Sequence, residues 1–144
     1  MATLQRIVDL AFALLWIGNV MSGAPDLTET YVACNIYTYQ ASDPFAYSLA
    51  YVVSALETVT PNRPGYDYYI TSPYPTVVVY AISPYQGVVS YGHATCNPVL
   101  SFDDCSTCLF YAHGHVLDKC HMSIVARLEL QDCKVRYEQF SFTD

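Results

Sequence analysis

Charge is what this sequence has least of. Charged residues make up only 13% of the 144, and six Lys and Arg stand against thirteen Asp and Glu, for a net charge of −7. So few basic residues disfavour a phosphate backbone as partner, because nucleic-acid binding relies on clustered Lys and Arg. They also argue against a cationic peptide that coats anionic membranes. Long apolar runs are missing as well. No segment reaches the roughly 18 apolar residues that a membrane-spanning helix needs. Internal repeats and low-complexity tracts are absent too, which leaves one domain of ordinary size.

What is present is hydrophobic: 53% of the residues, with fourteen tyrosines among them. That composition belongs to a packed globule rather than a disordered chain. Most of the tyrosines are expected to pack the core and cover strands. A minority remains to offer an aromatic surface to the apolar C–H face of a sugar. The N-terminus reads as an export signal: a charged start with Arg6, an apolar stretch over residues 7–17 broken only by Asp9, then the small residues Ser22, Gly23 and Ala24. Residues 1–23 are expected to be the signal peptide and residues 24–144 the mature domain. The protein is therefore expected to be secreted, with no membrane span in the mature chain.

Six cysteines follow that segment: Cys34, Cys96, Cys105, Cys108, Cys120 and Cys133. An even count in a small exported chain reads as a disulfide framework, although spacing alone does not choose the pairing. The Cys105-x2-Cys108 pair, with His93, His113, His115 and His121 nearby, also fits zinc or thiol redox chemistry. Export into an oxidising compartment favours disulfides, so no metal and no cofactor are expected.

Residues 31–39 (YVACNIYTY) read as a strand. Asp43 and Pro44 suit the N-cap and first turn of a helix whose buried stripe is Phe45, Leu49, Val52, Val53 and Leu56. Residues 61–65 (PNRPG) end it. Residues 66–91 hold short strand-like pieces, such as 76–82 (TVVVYAI), between turns. Ser101 to Asp104 resembles a capping box for a second helix running to about Asp118, with Cys105, Leu109, Ala112 and Val116 on its buried face. Residues 124–131 and 134–140 both alternate with period two, as half-buried strands do. A tight turn over Asp132 and Cys133 sets Leu130 against Val135 and Leu128 against Tyr137. It also sets Glu129 against Arg136 and Arg127 against Glu138, so apolar meets apolar and plus meets minus. The expected fold class is α+β, two helices packed on an antiparallel sheet.

Cys96-x8-Cys105-x2-Cys108, then Cys120, Arg127, Asp132-Cys133 and Arg136-Tyr137-Glu138, closely resembles the plant cysteine-rich antifungal domain, also called the ginkbilobin or salt-stress-response/antifungal domain. The stretches 91–96 (YGHATC) and 65–68 (GYDY), and the pair Cys34-Asn35, look like its other familiar pieces. The resemblance covers roughly residues 31–142. It implies the same α+β fold, with disulfides Cys34–Cys120, Cys96–Cys105 and Cys108–Cys133. It also implies a secreted, mannose-binding, lectin-like protein of plant defence that acts on mannan-type glycans such as those of a fungal cell wall. The implied sugar ligands are Asn35, Arg127 and Glu138. One departure is residues 70–90, which look longer and more apolar than in the seed proteins of the family.

That triad suits a sugar diol. Arg127 can donate two parallel bonds, Glu138 can accept two, and the Asn35 amide can do both. Two other readings compete. Related domains form receptor ectodomains, so an apoplastic signalling or protein-interaction module without sugar binding is the alternative. A hydrolase would need two acting carboxyl groups. Glu138 sits beside cations that keep it ionised and no second acid is evident, so no enzyme activity is expected.

Overall fold

The computed structural model describes residues 23–73 and 89–144. The export-signal stretch 7–17 and the strand-like piece 76–82 lie outside them. Among the described residues, five strands and two α-helices follow in the order β1 (Glu29–Cys34), α1 (Pro44–Val59), β2 (Asp67–Thr71), β3 (Tyr91–Cys96), α2 (Phe102–Lys119), β4 (Val125–Leu130) and β5 (Cys133–Glu138). The strands form one antiparallel sheet in the order β1-β4-β5-β3-β2.

Each helix begins where local chemistry favours it. Pro44 opens α1 with Asp43 at the N-cap position. The Asp43 carboxylate accepts from the Gln40 backbone N–H at 2.6 Å, which ties the turn before the helix rather than the helix's own first turn. Ser101 caps α2 through its hydroxyl, which accepts from the Asp104 N–H at 3.1 Å, while Asp103 and Asp104 complement the positive end of the helix dipole. The buried faces are the expected ones: Phe45, Leu49, Val52, Val53 and Leu56 on α1, and Cys105, Leu109, Ala112 and Val116 on α2.

Both stripes lie on one face of the sheet. There they meet Ala126, Leu128 and Leu130 of β4, Val135 and Tyr137 of β5 and Ala94 of β3, all buried in one core. Gly92 of β3 sits under α1. A Cβ there would lie 2.4 Å from Val52 Cγ1 and 2.9 Å from Leu56 Cδ1, so the absent side chain sets how closely helix and sheet approach. Three disulfides staple the layers: Cys34–Cys120, Cys96–Cys105 and Cys108–Cys133. Carboxylate–histidine contacts add to them, His113 with Glu57 at 2.8 Å between the helices and His115 with Glu29 at 2.9 Å between α2 and β1.

Two expectations need correction. The strand expected over residues 31–39 begins at Glu29 and stops at Cys34. Asn35 Oδ1 accepts from the Tyr37 N–H at 3.0 Å, and that local turn replaces the ladder, which returns only as an isolated bridge at Thr38. The β4–β5 register is also displaced by two residues. The turn lies at Gln131 and Asp132, so Leu128 opposes Val135, Ala126 opposes Tyr137, Glu129 opposes Lys134 and Arg127 opposes Arg136. Arg127 and Glu138 are not opposed, because Glu138 stands across from Val125. A shift of two leaves every side chain on its expected face, so the hydrophobic pattern is equally content with either register. The third strand arbitrates, since Cys96 of β3 pairs with Cys133 and His93 with Arg136.

Among the described residues, no helix is long and apolar enough to cross a membrane.

Candidate functional site

Side chains alternate across a strand, so the residues between the buried ones form the sheet's outer face, away from the helices. The pairings arrange that face in rows. One row runs Ala33, Arg127, Arg136, His93 and Tyr69 across the five strands. The next row toward the Glu138 end of β5 holds Val125, Glu138, Tyr91 and Thr71. Asn35 extends it beyond β1, its N–H donating to the Val125 carbonyl at 2.9 Å. On the other side, Tyr31, Glu129, Lys134, Thr95 and Asp67 make a third row.

The three residues singled out for sugar binding therefore share one face within two adjacent rows. They do not grip one another. Arg127 turns along its own strand to Glu129, at 2.8 Å through Nε and 2.6 Å through Nη2. Glu138 is held by Arg136, two residues back on β5. The Asn35 side-chain oxygen accepts from the Tyr37 N–H. Val125 separates Asn35 from Glu138, which puts their backbones about 10 Å apart at two strand spacings.

Two like charges thus stand directly opposite, Arg127 against Arg136, an arrangement that costs energy unless compensated. Compensation comes from Glu129, from Glu138 and from Asp144, beyond the end of β5. Asp144 Oδ1 accepts from Arg136 Nη1 and lies 3.7 Å from Arg127 Nη1, and Oδ2 lies 2.7 Å from His93 Nδ1. On its other side His93 Nε2 lies 2.7 Å from Asp67 Oδ1. Burial alone would raise the Asp144 carboxyl, but the hydrogen bonds from His93 and Arg136 outweigh it and hold the group below the usual carboxylate range. Glu129 behaves alike: burial opposes its charge, and Arg127 and Lys134 more than restore it. Burial would weaken the hold of Arg136 on its proton, yet Glu138 and Asp144 strengthen it.

Aromatic rings border these charges. Arg136 lies over the Phe142 ring at 4.0 Å and Arg127 near the Tyr31 ring at 5.8 Å. Tyr69 stacks on His93 with centroids 3.7 Å apart. The face thus combines donors, acceptors and flat apolar rings. The parts that sequence reasoning did not assign to the site include His93, Arg136, Phe142 and Asp144. No local signal marks Asp144, which reaches the site only because the chain folds back over the sheet after β5.

Residues 33–140 match the family model described as "Salt stress response/antifungal". The chain belongs to that family. Its relatives include a protein of Picea sitchensis named antifungal protein ginkbilobin-like protein 1, 31% identical over 120 residues that cover 83% of each chain. Antifungal protein ginkbilobin-2 of Ginkgo biloba is 30% identical over 133 residues, 92% of each chain. Among solved structures, the fold matches the tandem DUF26 ectodomain of the Arabidopsis thaliana cysteine-rich receptor-like protein PDLP5 with a TM-score of 0.66 and 25% identity. That match covers 80% of this chain and 51% of the ectodomain, so the family member described here spans about half of it.

Proposed function

We propose that this protein is an extracellular plant-defence protein with antifungal action, and that it binds mannose-type glycans on the outer face of its sheet rather than catalysing a reaction. The antifungal names of its relatives and the ectodomain fold of its structural neighbour support the role and the location. One observation carries the binding site: Asn35, Arg127 and Glu138, far apart in sequence, stand in adjacent rows of a single sheet face. Glu129 holds the Nε and Nη2 side of the Arg127 fork, which leaves Nη1, 3.7 Å from Asp144 Oδ1, as the group that can donate to a sugar hydroxyl. Glu138 offers acceptor lone pairs beyond those taken by Arg136.

Titration of mannose and mannan against the wild type, Arg127→Ala and Lys134→Ala tests this. Loss of a charged hydrogen bond costs about 1.5–3 kcal/mol, on the order of ten-fold or more in affinity. Arg127→Ala should therefore lose detectable binding. Lys134→Ala, also a partner of Glu129 but outside the triad, should keep it. Equal binding by wild type and Arg127→Ala would end the three-residue site.

The second reading, an interaction module of the apoplast, is favoured by the likeness to a receptor-like ectodomain. A glycan array separates the two, since a module of that kind binds a protein and leaves the array blank.

A further inference from the structure

Three donor side chains from three neighbouring strands converge on one carboxylate. Arg127 of β4, Arg136 of β5 and His93 of β3 occupy a single row, and the group between them is the side chain of Asp144. Opposed guanidinium groups with a histidine beside them form a cradle for a planar anion, because each Arg presents N–H groups in a fixed fork. Glu129 and Glu138 offset the two Arg charges one for one, and Asp67 lies on the far nitrogen of His93, yet the cradle still draws in a further carboxylate. The segment that delivers it rests on side-chain contacts: Phe142 against Arg136 at 4.0 Å, and the Asp144 N–H donating to the Tyr69 hydroxyl at 3.1 Å. Phe140, Ser141 and Thr143 around these contacts are exposed. A strap held in this way can leave without disturbing the sheet ladder.

We propose that the Arg127–Arg136–His93 cradle is a carboxylate subsite for an acidic sugar, a uronate residue of a glycan, and that Asp144 occupies it in cis until such a ligand displaces it. The proposal rests on the reading that this face is the sugar-binding one, and it adds the ligand's charge and the means of its regulation. The sugar ring follows from the neighbours of the cradle, namely the acceptor oxygens of Glu138 and Glu129, the hydroxyl of Thr95 and the rings of Tyr69 and Phe142. The net charge of −7 repels a long polyanion, so the fitting ligand is an isolated uronate among neutral sugars. A tethered competitor acts at an effective concentration in the millimolar range, so it weakens the apparent affinity for any free carboxylate by the fraction of time that it occupies the cradle.

Calorimetric titration of glucuronate, glucose, acetate and an acidic tripeptide against the wild type, Asp144→Asn and Asp144→Asn/Arg136→Gln tests the proposal. Asp144→Asn keeps the shape of the strap and removes the side-chain charge that sits in the cradle. It should bind glucuronate roughly ten-fold or more tighter than the wild type, with glucose unchanged. The added Arg136→Gln should erase the gain. Circular dichroism checks each fold, and if the double variant fails to fold, the single variant against wild type still decides. Equal glucuronate affinity in wild type and Asp144→Asn overturns the cis occupancy. Acetate or the tripeptide binding as tightly as glucuronate overturns the sugar assignment. Mannose titrated in parallel separates the two readings. Mannose binding without a glucuronate gain sinks this inference alone, and a glucuronate gain without mannose binding sinks only the mannose reading.

Discussion

Tyr137 shows how one residue can serve packing and polarity together. The residue is 2% exposed in the core between sheet and helices, and its hydroxyl donates to the Ser123 carbonyl at 3.1 Å. Burial, with a smaller contribution from Tyr39, pushes the phenol's ionisation well above its usual range. The position reads as apolar from its place in the alternation, while the hydrogen bond depends on where residue 123 arrives in space. Tyr137→Phe keeps the ring and removes the donor, leaving a buried carbonyl short of a partner. The expected loss of stability is about 1–3 kcal/mol, read from the midpoint of denaturant unfolding. An unchanged midpoint would mean that the hydroxyl contributes nothing net. At the same scale, Arg127 was legible as a surface charge of the sheet, but its partner was not. The sequence offers both Glu129 and Glu138 as partners of opposite charge, and rotamer and register together chose Glu129.

At the scale of elements, the junction of α1 with β3 is set by an absence. Gly92 stands where any Cβ would enter the space of Val52 and Leu56. Gly92→Ala should destabilise by about 1–3 kcal/mol through overpacking. Combined with Val52→Ala, which removes the nearer of the clashing methyl groups, it should cost less than the sum of the two single changes. Additive losses in thermal or denaturant unfolding would show that Gly92 is there for some reason other than the helix above it. Sequence made the two helices legible because their buried stripes, the Pro44 start and the Ser101 cap are local. The contact at Gly92 is not local, and nothing around residue 92 announces which helix lies over it.

For the whole molecule, the disulfides differ in what they constrain. Cys34–Cys120 joins residues 86 apart in sequence, binding the end of β1 to the end of α2, whereas Cys96–Cys105 closes a separation of 9. By loop-closure entropy the first contributes about 4–5 kcal/mol and the second about 2–3 kcal/mol. Replacing Cys34 and Cys120 together by Ala should therefore lower the unfolding midpoint more than replacing Cys96 and Cys105 together. The reverse order would place the effect of the short bridge in native packing, since both of its cysteines are buried.

Sequence by itself determined the class of fold, the two helices, the alternation of β4 and β5 and the face on which each of their side chains lies. These follow from periodicity and capping, which act within a few residues. It also carried the family, because the ordered cysteines and the Arg136-Tyr137-Glu138 ending persist as a pattern. Only the tertiary structure decided the β4–β5 register. An even shift preserves both faces, and the charge complementarity along two strands favoured opposing Arg127 to Glu138. The third strand and the turn at Gln131 and Asp132 set Arg127 against Arg136 instead. That like-charged pair is tolerable because Glu129, Glu138 and Asp144 surround it. Asp144 enters the site where the chain folds back after β5, a return that no local spacing encodes.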